Sequence, residues 1–184
     1  MRYRKLGRSE VEASVIGLAT WIGEKGMTDS PDERELVDTI RTGLDEGINF
    51  IDTAPVYGLG LAEELVGKAV EGRRDRVVLS TKCGLVWDTD QGKHIFDEHG
   101  KAVNRHLGAE FIRLELEQSL RRLKTDRVDL YQIHVNDPDR PMEEPMETLM
   151  ALKKEGKIRS LGVCNVNLGQ LQTYHAAGDL DALQ

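Results

Sequence analysis

The chain has 184 residues and a mass of 20.6 kDa, with 39% hydrophobic and 31% charged residues. This composition is typical of a single globular domain, here residues 1–184, and excludes an intrinsically disordered chain. The formal net charge of −7 argues against nucleic acid and anionic membranes as partners, and no apolar run approaches the roughly 20 residues that span a bilayer. The N-terminus has no signal-peptide pattern, and Cys83 and Cys164 fit no disulfide or zinc spacing. We therefore expect a cytoplasmic protein with free, buried or half-buried thiols.

Short β-branched runs alternate with segments of helical period along the chain. Residues 3–6 and 11–13 flank a turn and predict a small hairpin that covers one end of the fold. Six strands are then predicted, at residues 15–18, 48–52, 76–81, 128–133 and 158–163, with a sixth beginning at Leu183. The long interval before the fourth of these strands contains a polar loop.

Helices are predicted between the strands from apolar residues at helical spacing and from their end signals. Ser30-Pro31-Asp32-Glu33 reads as a capping box that begins the first helix, and Gly47 ends it. Further helices are predicted around residues 61–69, 112–123 and 145–155, and a last one is capped by Asn167 and ends at Gly178.

This alternation predicts an α/β fold with a parallel sheet, and two architectures fit it. The length favours an open doubly wound sheet, because an eight-unit barrel typically takes about 250 residues. The first strand-helix junction lacks the GxGxxG pattern of a dinucleotide-binding sheet, which argues against the open form.

Chemically capable side chains stand at the carboxyl ends of three successive predicted strands, where either architecture places its active site. They are Asp52, Lys82 and His134, and Tyr57 follows five residues after Asp52. A phenol with an ordinary pKa of about 10 is a poor acid at neutral pH unless a nearby cation favours its ionised form. Lys82 is a candidate for that cation, with Asp52 holding it charged. A neutral His134 would orient a carbonyl oxygen, and Tyr57 becomes a candidate general acid.

The motifs that contain these residues resemble those of the aldo-keto reductase family. They occur in order as Tyr3-Arg4-Lys5-Leu6-Gly7 with Ile16-Gly17-Leu18-Ala19-Thr20-Trp21; Gly47-Ile48-Asn49-Phe50-Ile51-Asp52-Thr53-Ala54 with Val56-Tyr57-Gly58; Ser80-Thr81-Lys82; Asp129-Leu130-Tyr131-Gln132-Ile133-His134; and Gly156-Lys157-Ile158-Arg159 with Gly162-Val163-Cys164-Asn165. The resemblance implies an eight-unit barrel enzyme that reduces aldehydes or ketones to alcohols with a nicotinamide cofactor.

The resemblance also implies the roles of individual residues. The catalytic set is Asp52, Tyr57, Lys82 and His134, and the cofactor set is Thr20, Trp21, Asp52, Cys164, Asn165 and Gln184. Cys164 stands where the family usually has Ser. NADP(H) is favoured over NAD(H) by the resemblance alone, and NAD is not excluded.

Residues 85–108 contain Trp87 and three histidines in a polar, Gly-containing stretch. The histidine spacing matches no simple metal-ligand pattern, so we expect no metal. We predict a loop beside the substrate mouth, with Trp87, Tyr57 and His134 contacting a small carbonyl substrate.

The chain holds five complete strand-helix units and the start of a sixth. It is therefore expected to form a partial (β/α)8 TIM barrel with an N-terminal β-hairpin, without strands six to eight, and to self-associate through the open barrel edge. One alternative is a catalytically inactive reductase-like fragment with a binding or regulatory role. Another is a Schiff-base aldolase that uses Lys82 as nucleophile, which the Asp52 carboxylate disfavours because it keeps the amine charged.

Overall fold

Parallel strands wrapped by helices form the main body of the protein. The computed structural model describes residues 1–21 and 33–184. The main-sheet strands are β3 (Gly17–Ala19), β4 (Phe50–Asp52), β5 (Val78–Cys83), β9 (Val128–Ile133), β10 (Ile158–Val163) and β11 (Ala182–Leu183). The helices are α1 (Glu33–Asp45), α2 (Leu61–Ala69), α3 (Ala109–Leu123), α4 (Glu143–Lys154) and α5 (Leu168–Ala177).

The order of strands in this sheet decides between the two architectures. The six strands lie side by side in chain order, from β3 to β11, and every neighbouring pair is parallel. A doubly wound sheet would reverse its order at a switch point, whereas a barrel adds each new strand on the same side. The sheet is therefore a curled half-barrel, and the fold is a partial (β/α)8 barrel, as predicted.

The helices cover the outer face of the sheet and form one continuous core with it. Ile51, Leu79 and Ile133 supply strand side chains that are fully buried in this core. They pack with helical residues such as Leu116 and Leu149, which recur at the helical period.

The N-terminal hairpin is confirmed, with β1 (Tyr3–Lys5) antiparallel to β2 (Glu12–Ser14). Val11 and Ala13 pack against Val78 at the start of β5, and the Asn49 side chain bonds backbone atoms of the hairpin. The hairpin therefore covers the amino ends of the strands and not their carboxyl ends.

The prediction of a loop over residues 85–108 is wrong, because this segment forms a separate antiparallel sheet of three strands. Its strands β6 (Leu85–Val86), β7 (Lys93–Glu98) and β8 (Lys101–Arg105) lie in the order β6-β8-β7. The two residues between β7 and β8, His99 and Gly100, both have positive φ, +49° and +76°. That geometry is typical of the tight hairpin turn whose twist matches the flanking strands. The strands were missed because β7 is almost wholly exposed and so shows no apolar alternation.

Helix and strand ends follow the local signals with small shifts. Asn167 and Gln170 form the predicted capping box of α5. Val15 and Ile16 were predicted in the first barrel strand but are exposed, and the strand begins only at Gly17. The capping residues predicted for the first helix, Ser30 to Asp32, lie outside the described residues. None of the described helices is long and apolar enough to cross a membrane.

Candidate active site

The carboxyl ends of the barrel strands bring the predicted catalytic residues together. Asp52 is the last residue of β4, Lys82 lies near the end of β5, and His134 directly follows β9. Because side chains alternate along a strand, Ser80 and Lys82 share the inner face, while Thr81 points to the helices.

A buried ion pair lies at the centre of the site. Lys82 Nζ is 2.8 Å from Asp52 Oδ2, and it also donates to the Thr53 carbonyl oxygen at 3.0 Å. The Lys82 side chain is 1% exposed and that of Asp52 is 9% exposed. An ammonium so enclosed requires both an opposite charge and further acceptors, and this arrangement supplies them.

Two hydrogen bonds fix the Asp52 carboxylate in addition to the bond from Lys82. Ser80 Oγ donates to Oδ1 at 2.8 Å and in turn accepts from Gln132 Nε2 at 3.0 Å. Gln184 Nε2 donates to Oδ2 at 3.1 Å. The carboxylate therefore has a single orientation, which holds the ammonium in place.

Tyr57 lies beside this pair on the loop after β4. Its hydroxyl is 3.4 Å from Lys82 Nζ, and Lys82 Nζ lies 5.2 Å from the ring centre. Burial raises the pKa of Tyr57, and the charge of Lys82 opposes that rise without cancelling it. The charge of Lys82 alone predicts a lowered pKa for Tyr57, and this prediction is wrong because the desolvation that the enclosing loop imposes is the larger effect.

His134 faces Tyr57 across the mouth. The two rings meet edge to face with centres 5.8 Å apart. Burial, and then the charge of Lys82, lower the pKa of His134 to about 4, so the imidazole is neutral at physiological pH. Both side chains are half-buried, which leaves them accessible from the mouth.

The residues expected to bind the cofactor lie on the same rim. Thr20 donates from its backbone N–H and its hydroxyl to the Asp52 carbonyl oxygen, at 2.9 and 3.2 Å. Asn165, with φ of +56°, donates from Nδ2 to the His134 carbonyl oxygen at 2.9 Å. Its backbone N–H donates to the Gln184 carbonyl oxygen at 3.2 Å. Two exposed amide side chains, Asn165 and Gln184, therefore sit beside the ion pair, a donor and acceptor set that fits a carboxamide such as that of nicotinamide.

Cys164 and Trp21 complete the expected cofactor set. The Cys164 thiol donates to Gln184 Oε1 at 3.3 Å. Burial raises its pKa to about 12, so it remains a neutral thiol. Trp21 is 59% exposed at the end of its described segment.

A sequence profile described as the Aldo/keto reductase family matches residues 15–184. The chain belongs to this family. Over its full length it is 42% identical to Aldo-keto reductase YhdN of Bacillus subtilis and 36% identical to the NADH-specific methylglyoxal reductase of Escherichia coli. It covers 53% and 58% of those proteins, so the chain spans about half the length of the curated relatives it matches.

Solved structures of family members have the same fold. The glycerol dehydrogenase AKR11B4 from Gluconobacter oxydans is 39% identical and superposes with a TM-score of 0.83, over 98% of this chain and 53% of that one. An aldo/keto reductase from Klebsiella pneumoniae in complex with NADP and acetate is 36% identical, with a TM-score of 0.69 over 92% of this chain and 53% of that one.

Trp87 of this reductase-family chain lies on the same side of the barrel as Tyr57. It is half-buried just after β6 and packs against the buried cluster of Ala54, Val56, Leu85 and Val103, as Tyr57 does. Trp87, the residue predicted to contact the substrate, therefore directly follows a strand of the antiparallel sheet.

Sequence reasoning assigned no role to Ser80 and Gln132, which orient Asp52. The period-two spacing that places Ser80 on the same face as Lys82 was available in the sequence. The pairing of β5 with β9 that brings Gln132 to Ser80 depends on strand register, which local sequence does not specify.

Proposed function

We propose that this chain carries the active site of a nicotinamide-dependent reductase that converts small aldehydes or ketones to alcohols. The observation that carries the proposal is the position of the Tyr57 hydroxyl, 3.4 Å from an ammonium that a buried carboxylate holds. The nicotinamide supplies a hydride to the carbonyl carbon, and the chain supplies a proton to the carbonyl oxygen.

In this proposal Tyr57 is the proton donor. Its raised pKa keeps the phenol protonated before reaction, and Lys82 stabilises the phenolate that forms as the proton leaves. Asp52 pairs with Lys82 and holds its amine in place, and this pairing also argues against Lys82 as a Schiff-base nucleophile. Neutral His134 donates a ring N–H to the substrate oxygen and orients it.

We assign the cofactor to NADP(H), held at its nicotinamide end by Asn165, Gln184 and Cys164, with Thr20 and Trp21 beside them. Family membership and the NADP complex of the Klebsiella pneumoniae relative support this assignment. The Escherichia coli relative is NADH-specific, so NAD(H) is the competing assignment that the assay must include.

The test is oxidation of NADPH, and separately of NADH, by the purified chain with a reactive aromatic aldehyde. We expect Tyr57→Phe to reduce kcat by about 10²-fold or more, the range that general-acid catalysis contributes. Tyr3→Phe is the matched control, because it removes an exposed hydroxyl at the opposite end of the barrel. Wild-type turnover by Tyr57→Phe would show that Tyr57 is not the donor.

We also propose that two copies of the chain associate through the ends of the main sheet, in a cytoplasmic setting where the two free thiols stay reduced. β3 and β11 are the end strands of that sheet. Apolar side chains are exposed at both ends, Ile16 beside β3 and Leu183 in β11.

A further inference from the structure

Arg122 of α3 is fixed by a carboxylate in the protein interior. Its Nε donates to Glu63 Oε2 at 2.7 Å, and Thr81 donates its hydroxyl to Glu63 Oε1 at 2.6 Å. Glu63 is 0% exposed and Arg122 is 16% exposed. Both carboxylate oxygens are therefore occupied, and the guanidinium has one fixed orientation.

The fixed guanidinium lies against Trp87. The centre of the guanidinium is 5.9 Å from the centre of the Trp87 ring system. Arg122 Nη2 is buried and has no hydrogen-bond acceptor among the residues that the structure describes. A buried donor without an acceptor is costly, and the face of an aromatic ring is the partner that this geometry offers.

The same arginine also touches the loop that carries Tyr57. A side chain at Gly60 would bring its Cβ within 2.9 Å of Arg122 Cδ, so the glycine and the arginine are in close contact. Gly60 has φ of +102° and directly precedes α2. Arg122 therefore contacts both Trp87, which is predicted to contact the substrate, and the end of the loop that carries Tyr57.

Trp87 has free space on another side. A cavity of about 90 Å³ lies between β6 and α3, lined by Trp87, Phe111 and Leu114 among others. The cavity leaves free space beside the indole ring, so packing does not enclose Trp87 on every side.

We propose that the buried Glu63–Arg122 pair positions Trp87 and so determines which carbonyl compounds fit beside Tyr57. The effect on substrate choice rests on the proposed reductase function. The position of Trp87 rests on geometry alone. Arg122 touches neither substrate nor reacting atoms and is a positioning residue.

The position of Trp87 is tested by fluorescence. The chain has two tryptophans, so Trp21→Phe leaves Trp87 as the only tryptophan. In that background Arg122→Lys retains a cation for Glu63 but loses the planar group over the ring. We expect the fraction of molecules in which the Trp87 ring has left its position to rise about two- to fivefold. Stronger acrylamide quenching and shifted emission would report this change.

Arg113→Lys is the matched control, because Arg113 lies on the same helix in an exposed pair with Glu155. The double variant Glu63→Gln with Arg122→Met removes the pair without leaving a lone buried charge, and it should displace the ring as Arg122→Lys does. Thermal melts identify folded variants. Unchanged quenching in a folded Arg122→Lys chain would overturn the proposal.

Kinetics in chains that retain Trp21 test the consequence for substrates. For Arg122→Lys we expect KM for a bulky aromatic aldehyde to change about two- to fivefold, with kcat for a small aliphatic aldehyde unchanged. Equal loss with both aldehydes would contradict the assignment to substrate choice. If the wild-type chain shows no turnover, the proposed function fails, and the fluorescence result still decides whether Arg122 positions Trp87.

Discussion

At the scale of single residues, Lys82 and Asp52 depend on each other because both are enclosed by the barrel. We predict that Lys82→Met lowers the free energy of unfolding by about 3–5 kcal/mol, since it leaves a carboxylate buried without its cation. Urea denaturation at pH 7 measures this.

The control for that prediction is the double variant Lys82→Met with Asp52→Asn. The asparagine keeps its bonding partners Ser80 and Gln184 but carries no charge, so it should recover a large part of the lost stability. Additive losses in the double variant would show that the two charges are not coupled.

A second residue, Glu115 of α3, makes stability depend on pH. Its Oε2 accepts from the Gly84 backbone N–H at 2.8 Å, and Oε1 has no partner within the described residues. Burial raises the pKa of Glu115 to about 8, and the charge of Glu63 adds to the rise. Between pH 4.5 and 8 the folded state thus holds a proton that the unfolded state has lost, so stability falls as pH rises through this window.

We predict that Glu115→Gln removes this fall. The amide can still accept from Gly84, so the variant should exceed the wild type at pH 8 by roughly 2–4 kcal/mol and approach it at pH 4.5. Urea denaturation of both proteins across this range makes the comparison. Parallel curves for the two proteins would exclude Glu115 as the titrating group.

At the scale of elements, a side-chain capping box holds the first turn of α5. Tyr174 is its one buried residue, and Leu171 and Ala177 are partly buried against the core. Asn167 and Gln170 bond each other's backbone N–H groups, both at 2.9 Å. We predict that Asn167→Ala costs about 1 kcal/mol in urea denaturation. Asn167→Ser should cost much less, and equal losses would show that the cap is not the cause.

At the scale of the whole molecule, the half-barrel has two sheet ends, β3 and β11. We predict that the chain associates with rising concentration, measured by sedimentation, and that Ile16→Lys weakens this because an edge lysine opposes strand pairing. Ile95→Lys is the control, since Ile95 is also an exposed apolar residue but lies in β7 of the other sheet. Equal effects of the two lysines would show that an added surface charge, and not its place at the barrel edge, weakens the association.

Much of this architecture was determined by the sequence itself. Strands β9 and β10 and helix α2 have the bounds that local patterns predicted, because each is a strongly apolar run with clear end signals. Asp52, Lys82 and His134 were found because parallel strands place their carboxyl ends at one edge, so position along the chain implies proximity in space.

Other features depend on contacts between elements that lie far apart in the chain. The raised pKa of Tyr57 depends on how deeply its loop is enclosed, which no local pattern encodes. The contacts of Glu63 with Arg122 and of Arg122 with Trp87 join α2, α3 and the segment after β6, far apart in the chain. Local sequence sets which face of each element is apolar, but the distances between side chains on different elements follow from register and packing, which only the assembled fold fixes.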